Sequence, residues 1–164
     1  DAVLRVSEQI PGEEYTVGIL LMSNHGLLRD LTVDGVNIGA DIANGVAECD
    51  KGSIIVIMAT DLPLTPRQIK RALKRISTAL ARVGSRIGHG SGEIFVGFST
   101  ANISKAEEES AIVSIKQLSE YKIDTIFRAV SEATEDALLK SMLLSQPCVN
   151  REGKTVHSLS EYIK

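Results

Sequence analysis

The chain has 164 residues, of which 43% are hydrophobic and 24% are charged, and its formal net charge is −3. This length fits one domain with a real hydrophobic core. The negative charge argues against the basic surface that nucleic-acid binding requires, and no apolar run reaches the roughly 18–20 residues that cross a bilayer. We therefore expect a cytoplasmic protein, with a periplasmic location left open because the chain begins with Asp1 and the true N-terminus is expected to be missing.

The sequence has no pattern typical of a metal site or a disulfide framework. Two cysteines, Cys49 and Cys148, are too few for a disulfide scaffold or for a zinc site of their own. The three histidines, His25, His89 and His157, are scattered without metal-ligand spacing. We therefore expect neither a metal nor another cofactor.

Apolar runs bounded by turn residues predict three strands and a hairpin. The strands span residues 16–23, 53–59 and 93–100, and the hairpin spans residues 31–38 with a turn at Asp34 and Gly35. Residues 54–59 are apolar without interruption, so other layers are expected to cover both faces of that strand. Residues 103–122 are mostly polar and predict a surface excursion.

Two amphipathic helices are predicted to cover the strands. The first is capped by Thr65, with Gln68 completing a capping box, Pro66 in the first turn and Gly84 as the stop. One of its faces is an apolar stripe, and the other is basic and predicted to be solvated. The stripe consists of Ile69, Leu73, Ile76, Leu80 and Val83, and the basic face of Arg67, Lys70, Arg71, Lys74, Arg75 and Arg82.

The second helix is predicted over residues 124–145 and ends before Pro147, and the tail that follows is predicted to be an edge element. Its core-facing residues are Ile126, Phe127, Val130, Ala137, Leu138 and Met142. Strands with long amphipathic helices as covers predict an α/β fold built as a layered sandwich.

Polar residues at the strand ends are candidates for a functional site. Ser53 begins the most hydrophobic strand directly after Gly52, where a hydroxyl needs a polar partner. Ser91 and Glu93 are two residues apart at the mouth of the next strand and point to the same side if both are extended. Asn24 ends the strand 16–23, either as a turn former or as an amide donor for an oxyanion. Strand-entry and turn roles remain open for all of them on these patterns alone.

Four segments of the chain closely resemble the DmpA-like aminopeptidases, also called D-aminopeptidases or β-peptidyl aminopeptidases. They are NHG at 24–26, LTVDGVNIG at 31–39, DKGSIIVIMATDLPLTP at 50–66 and SGEIFVGFSTAN at 91–102. The resemblance spans the whole chain as the C-terminal portion of a larger precursor. It implies an αββα-type sandwich of the kind shared with the ornithine acetyltransferases, and a self-processing hydrolase with an N-terminal serine nucleophile.

The resemblance also implies roles for the candidate residues. It implies that the protein itself breaks the bond between Gly52 and Ser53, so that residues 1–52 end an α subunit and residues 53–164 form a β subunit with Ser53 as nucleophile. Ser91 and Glu93 match the serine and glutamate around that nucleophile, and Asn24 matches the oxyanion asparagine. The implied substrates are short peptides, amino-acid amides or esters, and the implied partners are the preceding α-subunit segment and further copies in a homo-oligomer.

The chemistry of these residues is consistent with that implication. No histidine stands in a known triad order to activate Ser53, and a serine hydroxyl needs a base. Once the bond to Gly52 is cut, the α-amine of Ser53, with a reference pKa of about 7.7–8.0, can take the hydroxyl proton directly or through a relay such as Ser91. Glu93 is then expected either to hold the ammonium group of a substrate or to orient the Ser53 amine.

The glycine-rich part of the chain does not match two other kinds of functional motif. The glycine-rich segment 84–93 lacks the Gly-Lys-Ser/Thr ending of a phosphate loop, and GHGSG at 88–92 is not the Gly-x-Ser-x-Gly elbow of a conventional serine hydrolase. Two alternatives remain open. One is an acyltransferase of the ornithine acetyltransferase type, and the other is a non-catalytic or unprocessed relative with a structural or binding role.

Overall fold

The computed structural model describes residues 2–5, 14–44, 52–103 and 110–163. The expected cleavage point between Gly52 and Ser53 lies at the start of the third of these ranges, whereas Cys49 and the acidic run Glu107–Glu109 lie outside the described residues. In chain order the elements are β1 (Ala2–Arg5), β2 (Thr16–Asn24), β3 (Thr32–Val33), β4 (Val36–Asn37), α1 (Gly39–Ala43), β5 (Ser53–Thr60), α2 (Pro66–Arg82), β6 (Gly92–Ser99), α3 (Ile123–Leu143), β7 (Cys148–Val149) and β8 (Thr155–Val156).

The main sheet is a mixed four-stranded sheet with the strand order β1-β2-β5-β6. β2 is antiparallel to both β1 and β5, whereas β5 and β6 are parallel and are connected through α2. A parallel pair requires such a crossover, because the chain must return to the same end of the sheet. The three predicted strands are confirmed as β2, β5 and β6, and the start of β5 lies between the end of β2 and the start of β6.

The core lies between this sheet and the helices α2 and α3. Alternate residues of β2 and β5 point into it, because side chains along a strand alternate between the two faces. Those fully or almost fully buried are Val17, Ile19, Ile54, Val56 and Met58. They pack in one cluster with helix residues such as Ile76, Leu80, Ile126 and Val130.

The capping residues and the stop predicted for α2 are confirmed. Thr65 accepts a hydrogen bond from the backbone of Gln68, the Gln68 side chain accepts one from the backbone of Thr65, and Pro66 is the first helical residue. Gly84 follows the helix with φ of +102°, and a Cβ there would lie 1.8 Å from the carbonyl oxygen of Asp30. Only glycine fits such a close backbone approach in a left-handed conformation.

The basic face of α2 is more than a solvated surface. Glu120 forms ion pairs with Arg67 and Arg71, and the buried Gln68 amide donates to the carbonyl oxygen of Leu118 over 2.8 Å. Burial raises the pKa of Glu120, but the charges of Arg67 and Arg71 and the hydrogen bonds from Gln68 and Arg71 outweigh it and hold the pKa below its ordinary value of 4.5. These contacts hold the end of the predicted surface segment 103–122 against α2.

The hairpin β3–β4 is confirmed, since Asp34 and Gly35 have φ values of +51° and +79°, as a type I′ turn requires. The tail differs from the prediction. Within the described ranges β7 and β8 pair with each other and not with the main sheet. The tail is instead anchored on the end of α3, where the Ser158 hydroxyl donates to the carbonyl oxygen of Met142 over 3.1 Å. No helix in the described part of the chain is long and apolar enough to span a membrane.

Within the described residues, the prediction that both faces of β5 are covered is confirmed only for the face that packs against the helices. The other face of β2, β5 and β6, called here the open face, is largely apolar and exposed. It carries Gly18, Leu20, Met22 and Asn24 of β2, Ser53, Ile55, Ile57 and Ala59 of β5, and Gly92, Ile94, Val96 and Phe98 of β6. An uninterrupted apolar run such as that of β5 is typical of a strand with two covered faces.

Candidate active site

Strand register brings Asn24 and Ser53 together at one end of the sheet. Asn24 is the antiparallel partner of Ser53, and Gly92 is the parallel partner of Ser53 on the other side. Because directly opposed residues point to the same face, all three lie in one row across the open face. Both polar side chains are exposed there, so an amide donor stands beside the hydroxyl of Ser53.

Gly92 is a member of this row that the sequence interpretation did not assign to the site. A Cβ at this position would lie 3.7 Å from Ser53 Oγ, so the glycine leaves open the space next to the hydroxyl. The sequence contained one indication of this placement, because Gly92 lies between the two candidates Ser91 and Glu93. In a strand, the residue between two that share one face must point to the opposite face.

Ser91 and Glu93 share a side, as predicted. The Ser91 hydroxyl donates to Glu93 Oε1 over 3.0 Å and lies 3.2 Å from the carbonyl oxygen of Gly88. Glu93 is the register partner of Ile54, which is buried under the helices, so this pair lies on the opposite face from Ser53 Oγ. The pair is therefore placed beside the backbone at the start of β5 rather than beside the hydroxyl.

Gly52 packs directly on the backbone that carries Asn24. A Cβ at Gly52 would lie 1.6 Å from the carbonyl oxygen of Asn24, 2.4 Å from its carbonyl carbon and 2.8 Å from the Cα of His25. Real Cβ atoms do not approach other atoms this closely. The peptide bond between Gly52 and Ser53 is thus held against the turn that follows β2, and a residue without Cβ is required for that contact.

Described residues line two cavities near the sheet, and Ser53 is not among the lining residues of either. One of about 480 Å³ lies at the end of β2 and includes Asn24 and His25 in its wall. The other, of about 610 Å³, lies between α2 and β6. The register of Ser53 with Asn24 and Gly92 places its hydroxyl on the open face of the sheet, away from both cavities.

Solved structures with a similar fold define the class of fold. An L-aminopeptidase D-Ala-esterase/amidase from Ochrobactrum anthropi, described as a prototype for the serine aminopeptidases and a variant among the Ntn hydrolase fold, matches with a TM-score of 0.85. It is 30% identical, and the match covers 99% of this chain and 46% of that one. The PH0078 protein from Pyrococcus horikoshii OT3 matches with a TM-score of 0.84 and 40% identity over 96% of this chain and 42% of that one. The chain thus has the fold of the Ntn, or N-terminal-nucleophile, hydrolases, and the predicted α/β class is confirmed.

The family follows from the sequence comparison. The model of Peptidase family S58 matches residues 4–156, and the chain belongs to this family. The beta-peptidyl aminopeptidase BapA of Sphingosinicella microcystinivorans is 35% identical over 168 residues, which cover 92% of this chain and 42% of that protein. The chain therefore spans less than half the length of this curated relative. The resemblance drawn from the four sequence segments is confirmed.

Proposed function

We propose that this chain is the nucleophile-bearing part of a self-processing aminopeptidase that releases N-terminal residues from short peptides, amino-acid amides or esters. The observation that carries the proposal is the row in which Ser53, at the start of β5, stands opposite Asn24 while Gly52 packs on the Asn24 backbone. The relatives support it, because one is a beta-peptidyl aminopeptidase and another an L-aminopeptidase D-Ala-esterase/amidase.

Self-processing begins with attack of Ser53 Oγ on the carbonyl carbon of Gly52. The Gly52–Ser53 amide bond breaks, its nitrogen gains the proton that the hydroxyl loses, and an ester joins the Gly52 carbonyl to Ser53 Oγ. Water then hydrolyses the ester, which leaves a carboxylate on Gly52 and a free amine on Ser53. Residues 1–52 would end one subunit, and residues 53–164 would form the other.

Turnover of substrate repeats the same chemistry on an external carbonyl. The α-amine of Ser53 takes the hydroxyl proton as the base, because its reference pKa of about 7.7–8.0 leaves a minor but substantial fraction of it neutral near physiological pH. The Asn24 amide, beside Ser53 on the open face, donates to the developing oxyanion. The amine delivers the proton to the leaving group, and water releases the acyl group from Oγ.

The hydrogen-bonded pair of Ser91 and Glu93 acts on the amine of Ser53. Continuing the parallel register by one residue beyond Ser53 and Gly92 places Ser91 beside Gly52, while Glu93 stands beside Ile54. The pair thus flanks the backbone of Ser53 on the helix side, away from the substrate carbonyl. Of the two roles expected for Glu93, orientation of the amine fits this placement better than capture of a substrate ammonium group.

The remainder of a longer precursor completes the protein in this proposal. The open face presents apolar side chains such as Leu20, Val96 and Phe98 to solvent, and burial of such a surface is strongly favourable. The curated relative is more than twice as long as the matched region, so it has residues enough for a second layer. We propose that the preceding α-subunit segment covers this face and that the cleaved protomers form a homo-oligomer.

The decisive experiment is mass spectrometry and N-terminal sequencing of the purified full-length protein, followed by assay on alanine amides. We expect two fragments, one beginning with Ser53, and hydrolytic activity. Ser53→Ala should give one uncut chain without activity, whereas Ser145→Ala, an exposed serine at the end of α3, should be processed and active. An uncut and inactive parent would favour a non-catalytic relative, and normal turnover by Ser53→Ala would refute the proposal.

A further inference from the structure

The loop that leads into β6 contains a strained residue shortly before the pair of Ser91 and Glu93. Ile87, in the loop of residues 84–91 that joins α2 to β6, has a φ of +50°. A β-branched residue rarely adopts this left-handed conformation, because its Cβ comes too close to the backbone. Residues strained in this way persist where the surrounding contacts fix them, and they are concentrated at functional sites. The mechanism proposed above gives Ile87 no role.

The segment that follows β2 holds the loop on one side of Ile87. Arg86 Nη2 donates to Asp30 Oδ1 over 3.0 Å, and the side chain of Asp30 is 15% exposed. A carboxylate buried to this degree requires a partner for its charge. Asp30 is itself docked on the end of α2, since Gly84 packs against its carbonyl oxygen. The residue before Ile87 is therefore held in place.

On the other side of Ile87, the carbonyl oxygen of Gly88 contacts Ser91 twice. It accepts a hydrogen bond from the backbone N–H of Ser91 over 3.1 Å and lies 3.2 Å from the Ser91 hydroxyl. The same hydroxyl lies 3.0 Å from Glu93 Oε1. A hydroxyl has one proton to donate, so its oxygen is held between two acceptors. The direction of the Gly88 carbonyl therefore helps to set the position of the hydroxyl that Glu93 binds.

We propose that Ile87 is a positioning residue for the pair of Ser91 and Glu93. Its left-handed conformation sets the course of the chain, so that the carbonyl of Gly88 is directed at Ser91. The inference rests on the proposed function, because Ile87 reaches the reaction only through this pair and the amine of Ser53 on which the pair acts. It deepens that function by naming the residue that holds the pair in place.

The ion pair beside Ile87 also links two parts of the site. Asp30 lies six residues after Asn24, and Arg86 lies five residues before Ser91. Their ion pair thus joins the segment after the oxyanion donor to the loop before the pair that acts on the amine. A disturbed loop should change the surroundings of the amine while the oxyanion donor remains, so the effect should be visible in the pH dependence of the rate.

The first test changes the conformation that residue 87 can adopt, in the full-length processed protein. Ile87→Pro fixes φ at about −65° and excludes the left-handed region. Ile87→Asn permits that region, where asparagine is enriched several-fold. With alanine p-nitroanilide as substrate, the proline variant should lose about 10-fold or more in kcat/KM, since small misplacements of reacting groups are costly. The asparagine variant should stay within about threefold of the parent, because the backbone conformation and not the side chain is required.

The second test removes the ion pair with Arg86→Ala and follows the pH profile of kcat/KM. When the carboxylate of Glu93 is displaced from the amine, it stabilises the protonated amine less, so the acid limb should move to lower pH by roughly half a pH unit or more. Direct loss of the guanidinium charge would move the limb to higher pH, because a nearby cation disfavours a protonated amine. Arg86→Lys retains a cation for Asp30 and should restore the parent profile.

Arg82→Ala is the matched control. Arg82 forms an ion pair of 3.1 Å with Glu135, whose side chain is 19% exposed, at the last turn of α2. Its loss removes a comparable ion pair outside the loop and should leave the profile unchanged. In a Glu93→Gln background, Arg86→Ala should cause no further shift, because the two changes act through the same carboxylate.

The outcomes separate this inference from the proposed function. Parental kcat/KM and pH profiles in Ile87→Pro and Arg86→Ala, or an equal shift in Arg82→Ala, would overturn the inference while the parent still cleaves itself and hydrolyses the anilide. If Ile87→Pro does not fold, the variants of Arg86 decide the question. A parent that neither cleaves itself nor hydrolyses the anilide would refute the proposed function, and this inference with it.

Discussion

Replacement of Gly52 by alanine should block self-processing, because the structure leaves no room for a methyl group there. The added Cβ would lie 1.6 Å from the carbonyl oxygen of Asn24, whereas ordinary van der Waals contacts begin at 3.4 Å. Relief of this overlap requires a displacement of about 1.8 Å, and misplacement of reacting groups by about 1 Å can cost roughly 100-fold in rate. We expect Gly52→Ala to be processed at least about 100 times more slowly than the parent, equivalent to about 2.7 kcal/mol in activation free energy.

The rate is measured by mass spectrometry of freshly synthesised full-length protein over time, as the fraction of chains that begin with Ser53. Gly18→Ala is the matched control, since its Cβ would lie 3.9 Å from the carbonyl oxygen of Ala59, an ordinary contact on the same sheet. Thermal unfolding of both variants separates a folding defect from a processing defect. Processing of Gly52→Ala within threefold of the parent rate would show that the Asn24 contact does not hold the scissile bond.

Three further substitutions test the roles assigned to the site and to the helix layer. Asn24→Ala should lower kcat by about 10²–10³ with little change in KM, as loss of one oxyanion donor typically does, and a change in KM alone would contradict that role. Glu93→Gln removes a negative charge that stabilises the protonated amine of Ser53 and should therefore lower the pKa of that amine. The acid limb of the pH profile of kcat/KM should then move to lower pH. An unchanged acid limb would contradict the role of Glu93 at the amine. Glu120→Gln should lower the Tm at neutral pH. Because the pKa of Glu120 is depressed in the folded protein, this difference should persist above pH 4.5 and shrink as the pH falls through the lowered pKa, whereas a constant difference down to pH 3 would exclude the ion pairs as its cause.

The candidate site residues lie on two opposite faces of the sheet at the start of β5, so substitutions on the two faces test different roles. The hydroxyl of Ser53 lies with Asn24 on the open face, and the pair of Ser91 and Glu93 lies on the helix side. A group that acts on the oxyanion and a group that acts on the amine should therefore leave different kinetic signatures. Loss of Asn24 should change the rate of the chemical step at every pH, whereas loss of Glu93 should change its pH dependence.

The sequence alone determined the local structure of this chain. The strand periods, the Thr65–Gln68 capping box and the Asp34–Gly35 turn depend on residues close together in the chain, and each is confirmed. The same-side placement of Ser91 and Glu93, predicted from their two-residue spacing at the start of a strand, is also confirmed by the hydrogen bond between them. Long, specific segments around Gly52 and Ser53 were enough to indicate the family.

Only the tertiary structure decided how those elements meet. Which residue of β2 stands opposite Ser53, and which face Glu93 shares with Ile54, depend on register between strands distant in sequence. A continuous apolar run such as β5 predicts two covered faces but does not say which part of the protein covers each. The contact between Gly52 and Asn24 likewise arises from the docking of one strand end on another. Pairing across a sheet is set by packing of the whole face, and no local pattern encodes it.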